Sequence, residues 1–182
     1  MEYPEKANDT HSPATENIGG AKLGREYLAL LLRIILIVLI GVLVFTKVFL
    51  ITRVSGNDMY PALRDGDLIV AFRLNRKYEK NDAVVYTCGD GRLVGRIAAL
   101  AHDTVMIDEH GILSVNGTEQ IGEILFSTYA EKELSYPYTV PDGCVFILND
   151  YRTHGEDSRK TGGVRLENIE GKVITLLRRR GI

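Results

Sequence analysis

The chain has 182 residues, 45% apolar and 25% charged, the composition of one globular domain with a small addition. A formal net charge of −2 excludes the broad basic face that phosphate contacts require, so nucleic acid is not expected among its partners. Its 2 cysteines, Cys88 and Cys144, are too few for a disulfide framework and lack metal-ligand spacing. Free, packed thiols are expected, with one disulfide left open, and neither a metal nor a cofactor is expected.

Residues 1–26 carry Pro4, Pro13, Ser12, Gly19 and Gly20 with few apolar side chains, and a disordered cytoplasmic tail is expected there. Residues 27–51 are almost continuously apolar, with Arg33 and Lys47 the only charges. A helix of that length runs about 37 Å, enough for a hydrocarbon core of about 30 Å. Membrane lipid is therefore an expected partner of residues 27–51. The stretch Lys47-Val-Phe-Leu-Ile-Thr52 offers no small-residue cleavage site, so the span is expected to stay as an anchor. Lys22, Arg25 and Arg33 precede it while Lys47 and Arg53 follow. This bias predicts a single-pass protein of the cell membrane with residues 52–182 as an extracellular domain.

Short β-prone runs follow the anchor: 67–72, 83–87, 93–98, 104–108, 112–115, 145–148 and 171–177. Turn signals such as Arg64-Asp65-Gly66-Asp67, Glu109-His110-Gly111, Asn116-Gly117 and Pro141-Asp142-Gly143 separate them. A mainly β, antiparallel, barrel-like domain behind one N-terminal transmembrane helix is expected.

Four sequence boxes lie in this domain. The first is Val54-Ser-Gly-Asn-Asp-Met-Tyr-Pro-Ala-Leu63, and Gly66-Asp67-Leu-Ile-Val70 with Asn81-Asp82-Ala-Val-Val85 form the second. Leu93-Val-Gly-Arg-Ile97 with His102-Asp103-Thr-Val105 form the third. Asn149-Asp-Tyr-Arg152, Asp157-Ser-Arg159 and Gly171-Lys-Val173 complete the fourth. In this order they resemble the boxes of type I signal peptidases, which implies that family's antiparallel β-barrel-like fold.

The resemblance also implies a nucleophilic Ser before Met59, a Lys base before Arg96 and a helper Ser ahead of the Asp-Ser-Arg. A serine hydroxyl attacks a peptide only when a neighbouring base takes its proton. Here the three positions hold Asp58, Gly95 and Gly155. Asp58 is a poor substitute, since carboxylate attack on an amide yields an adduct that reverts faster than it proceeds. Asp150 and Asp157 are expected in ion pairs, Arg96 with Asp150 and Asp157 with Arg159. Cys88, Cys144, His102, His110 and His154 carry no signature of a relocated nucleophile or base.

A groove that keeps its shape still binds an extended chain through main-chain hydrogen bonds. The resemblance places that groove along Val54, Gly56, Asn57 and Tyr60 on one side and Leu93 and Val94 on the other, with Gly95 expected to widen the cleft. Asp and Gly at the two dyad positions resemble the SipA-type signal-peptidase-like proteins encoded with Gram-positive pilins and sortases. That implies a non-catalytic assembly factor or chaperone for pilus biogenesis, with secreted pilin subunits and a sortase as partners. The alternatives are an active membrane endopeptidase with relocated catalytic groups and a structural membrane protein without a peptide ligand.

Overall fold

The computed structural model describes residues 17–75, 77–89, 91–120 and 126–178. The chain divides into two compact units, Met1–Phe45 and Thr46–Ile182. The first is dominated by helix α1, Asn17–Val48. Its 25-residue apolar stretch, Gly24–Val48, is exposed on all sides, which fits a membrane anchor. Two boundaries differ from expectation. Residues 17–26 are helical, because Ala21, Lys22, Leu23, Arg25 and Glu26 are good helix formers and extending an existing helix is cheap. Residues 1–16 lie outside the described residues. At the other end Phe49, Leu50 and Ile51 leave the helix and open the first strand.

The second unit is built of short strands: β1 Phe49–Arg53, β2 Leu68–Phe72, β3 Ala83–Cys88, β4 Gly91–Ala99, β5 Thr104–Ile107 and β6 Leu113–Val115. β7 Thr118–Glu119, β8 Tyr138–Thr139 and β9 Cys144–Leu148 follow. A one-turn helix α2, Ser158–Thr161, precedes β10 Val164–Arg165, a 3-10 turn at Leu166–Asn168 and β11 Ile169–Leu177. All pairings are antiparallel, in a 7-stranded sheet ordered β1-β2-β11-β3-β4-β9-β10 and a 4-stranded sheet ordered β7-β6-β5-β8.

Period-two alternation divides the core. In β3, Val85 faces a cluster with Leu50, Val54, Met59, Leu63, Ile69 and Ala71 inside the curl of β1, β2, β11 and β3. Its neighbours Val84 and Tyr86 face Ile97, Val145, Ile147, Val164 and Ile169. A third cluster, including Val105, Leu113, Val115, Phe146 and Leu148, joins the small sheet to the large one.

Side chains finish what the sheet leaves unpaired. Past β10, the amide of Ile147 donates to Ser158 Oγ at 2.9 Å and that of Asn149 to Asp157 Oδ2 at 3.1 Å. Asp157 also caps α2 by accepting from the Arg159 amide at 3.0 Å, a role typically worth ~1 kcal/mol. Asn116 (φ 53) and Gly117 (φ 77) make the β6–β7 hairpin turn that the Asn-Gly pair announces.

Candidate functional site

The large sheet curls until the end of β1 stands opposite the start of β4. Between them lies a cleft of about 130 Å3, lined by Thr52, Arg53, Val54 and Ser55, by Asp58 and Met59, and by Arg92, Leu93 and Val94. Neither flanking strand is fully paired. β1 is bonded in the sheet to β2 alone, and β4 meets β9 only from Arg96 onward, leaving residues 91–95 with β3 on one side. Two open backbone edges therefore border the cleft.

The groove residues named from the sequence divide here. Val54, Leu93 and Val94 line the cleft together with Asp58. Gly56 and Asn57 do not: β1 ends at Arg53, and the chain then bends against the 64–67 turn. The Gly56 amide donates to Asp65 Oδ1 at 2.9 Å, and Asn57 Oδ1 accepts from the Asp65 amide at 3.3 Å. Tyr60 faces a separate patch, its ring 6.3 Å from that of Tyr151 and 5.6 Å from the Arg64 guanidinium.

Asp58 is half-buried, and its main-chain carbonyl accepts the Tyr151 amide at 2.8 Å, tying this turn to residues 149–152. Its carboxylate has neither hydrogen-bond nor ion-pair partner among the described residues. Gly155 lies against it: a Cβ there would stand 2.7 Å from Asp58 Oδ1 and 2.7 Å from Asn149 Nδ2. Gly155 also has φ +74, so a side chain at 155 is disfavoured by strain as well as by space. The structure thus brings together the residues that the resemblance puts at the nucleophile and helper positions.

Gly95 corrects the sequence reading. It is buried, and a Cβ on it would lie 2.4 Å from Ile147 Cγ2 and 3.2 Å from Tyr86 Cε1. The space beside it is filled, so Gly95 does not widen the cleft. Burial pushes the Tyr86 phenol well above its usual range, and the negative charge of Asp157 adds to this. Tyr86 is a neutral, packed ring at working pH rather than a proton acceptor.

The supporting ion pairs are well formed. Arg96 Nε and Nη2 donate to the two oxygens of Asp150 at 2.7 and 2.6 Å, and Arg96 Nη1 reaches the Asn81 carbonyl at 2.8 Å. Arg159 does the same to Asp157 at 2.9 and 2.9 Å, with both side chains buried. Arg152, also buried, donates to Thr128 Oγ1 at 3.1 Å, and burial pushes its guanidinium down to about 10.

Sequence reading missed the β1 side of the cleft, Thr52, Arg53 and Ser55, and also Arg92, whose guanidinium is held by Glu170 at 2.7 and 2.8 Å. It also missed an aromatic stack on Tyr151, with Phe126 at 4.5 Å and His154 at 5.3 Å. The available signal was Tyr151 itself, an aromatic residue inside a turn. The other reactive side chains stay apart from the cleft. Cys88 and Cys144 are free thiols. His102, at φ 68, is an exposed turn residue 3.5 Å from Asp142. Among the described residues, no cluster of His, Cys, Asp and Glu is arranged to hold a metal.

The chain is similar to several known proteins. The chain is 30% identical to signal peptidase I of Bacillus caldolyticus over 137 residues, 66% of this chain and 74% of that one. It is 24% identical to signal peptidase I V of Bacillus subtilis, covering 75% of this chain and 90% of the relative. A probable thylakoidal processing peptidase 2 of Arabidopsis thaliana is 30% identical, but the chain spans only 36% of its length. The crystal structure of a signal peptidase I from Enterococcus faecalis aligns with a TM-score of 0.46 at 24% identity, over 55% of this chain and 98% of that one. The profile of the family described as "Signal peptidase, peptidase S26" matches residues 26–177, and the chain belongs to that family.

Proposed function

We propose that this protein is a membrane-anchored, signal-peptidase-like assembly factor that binds an extended segment of a secreted client without cleaving it. The observation that carries this reading is the cleft: two open strand edges border it, and the groups that line it lack a working nucleophile and base. Thr52 and Ser55 supply hydroxyls, yet the only other ionisable lining groups are Asp58, Arg53 and Arg92. Guanidinium groups do not accept protons at neutral pH, and a carboxylate is a weak base toward a hydroxyl. The position where the resemblance implies a lysine is Gly95, packed under Tyr86 and Ile147. Open edges need no such chemistry to take up an added strand.

Asp58 and Gly95 together resemble the SipA-type proteins, and on that basis the clients are pilin subunits at the outer face of the membrane, handled alongside a sortase. A second reading is supported by the relatives, which are named as peptidases, and by Ser55 and Asp58 lining one cleft. It makes this chain a peptidase using Ser55 as the relocated nucleophile. The purified full-length protein, incubated with a secreted pilin precursor and followed by mass spectrometry, separates the two. An intact precursor that co-purifies with the protein supports the binding reading. A shortened precursor whose appearance is abolished by Ser55→Ala supports the peptidase.

A further inference from the structure

Among the described residues the Asp58 carboxylate is the cleft-lining charge that is half-buried without a partner. The two buried carboxylates among the described residues each have a cation: Asp67 has Arg178 and Asp157 has Arg159. Asp58 is half-buried in the cleft lining and has no partner. The nearby arginines leave it unneutralised. Arg92 is held bidentately by Glu170, and Arg53 is exposed and forms no ion pair among the described residues. Holding a carboxylate partly out of water without a counter-charge is unfavourable, and a ligand that supplies the charge recovers that cost.

The rest of the lining narrows the ligand. Val54 and Met59 are buried, Leu93 and Val94 are half-buried, and together they give the cleft apolar walls. Its volume is about 130 Å3, where a single water needs ~10–15 Å3, which is room for a long side chain and not for a folded element. The lining also carries Thr52, Ser55, the exposed Arg53 and the Glu170-held Arg92, so Asp58 is the one lining charge that is partly out of water without a partner, and beside these apolar walls it matches an aliphatic stem with a cationic head.

Resting on the reading that the cleft takes an extended client segment, we infer that this segment carries a lysine or arginine whose cationic head meets Asp58. Its stem lies along Val54, Met59, Leu93 and Val94, while the neighbouring main chain pairs with the open edges of β1 and β4. Asp58 is thus a specificity group for a basic client residue. No covalent step is involved.

The test uses the full chain in detergent micelles and a randomised library of N-acetylated, C-amidated octapeptides. The wild type is expected to select peptides with Lys or Arg at one position. In a selected peptide, norleucine in place of that residue should weaken binding about tenfold, equivalent to about 1.4 kcal/mol. Asp58→Asn should still select extended peptides but lose the basic preference, with less than about a twofold difference between Lys and norleucine. Asp58→Ser, smaller and free of the contact with Gly155, should behave as Asp58→Asn does and serves as the check on folding. Selection without a basic preference, or a preference that survives both substitutions, overturns the inference while leaving the cleft as a peptide site. Failure of the wild type to select any peptide overturns both.

Discussion

Adding a single methyl group at Gly95 tests the packing beside the cleft. In Gly95→Ala the new Cβ stands 2.4 Å from Ile147 Cγ2, 3.2 Å from Tyr86 Cε1 and 3.5 Å from the Leu148 carbonyl. Carbon atoms pack at ~3.5–4.0 Å, so Ile147 must move by about 1 Å within a core where it and Tyr86 are almost fully buried. Overpacking of this kind costs ~1–3 kcal/mol, against which loss of glycine freedom in the unfolded chain returns ~0.4–1 kcal/mol. The net expectation is destabilisation by about 1–2 kcal/mol, which lowers the urea midpoint by roughly 0.5–1 M. Ile147→Ala alone should cost ~2–5 kcal/mol. The double variant should be less destabilised than the sum by about 1 kcal/mol or more, because the added methyl enters the vacated space. Urea unfolding of chains beginning at Thr46, followed by circular dichroism, measures all three. Neutral or stabilising behaviour of Gly95→Ala, or strict additivity with Ile147→Ala, would refute the packing argument. By the same reasoning, Asp58→Ser with Gly95→Lys should restore no signal-peptide cleavage while Tyr86 and Ile147 remain.

Three further outcomes follow from the geometry. A chain starting at Thr46 should be soluble and folded, whereas one starting after Ile51 loses most of β1 and the buried Leu50; far-ultraviolet circular dichroism and gel filtration distinguish them. Arg178 donates to Asp67 and holds its carboxyl below the usual range, aided by the Arg64 amide. A depressed folded pKa stabilises above the unfolded value of ~3.9, and that contribution is lost as pH falls through the folded one. Asp67→Asn should therefore be less stable at neutral pH and show a flatter decline below about pH 4 than the wild type, read from urea midpoints across pH. Gly155→Ala should cost more than about 1 kcal/mol from its positive φ and its contacts with Asp58 and Asn149. The cost should shrink in an Asp58→Ser background, where one contact is gone.

The large sheet was legible where short, continuous apolar runs stand between turn residues. The runs in β3 and β9, bounded by turn residues, declare themselves by β-branched content and length. β1 was not legible, because Phe49-Leu-Ile continues the apolar run of the span with no turn signal between, and composition cannot show where a helix gives way to a strand. β7, β8 and β10 are two-residue pairings fixed by their neighbours. The same contrast holds at the site. Motif order located Asp58 and Gly155 and paired Arg96 with Asp150, since these lie in recognisable boxes. What fills the space over Gly95 was hidden, because Ile147 and Tyr86 arrive there from two other strands and only the packed register reveals them. The bend at Gly56 and Asn57 was hidden similarly: its capture by Asp65 depends on local hydrogen bonds that residue types alone do not rank.

Hydrogen–deuterium exchange of the full chain in micelles, with and without a pilin subunit, tests the central claim most directly, provided the mass of the subunit is followed in the same sample. Binding of an extended client segment between β1 and β4 predicts slowed exchange concentrated at residues 50–55 and 91–95, with the subunit recovered at its original mass. Unchanged exchange at both edges, or a subunit shortened during the experiment, would contradict it.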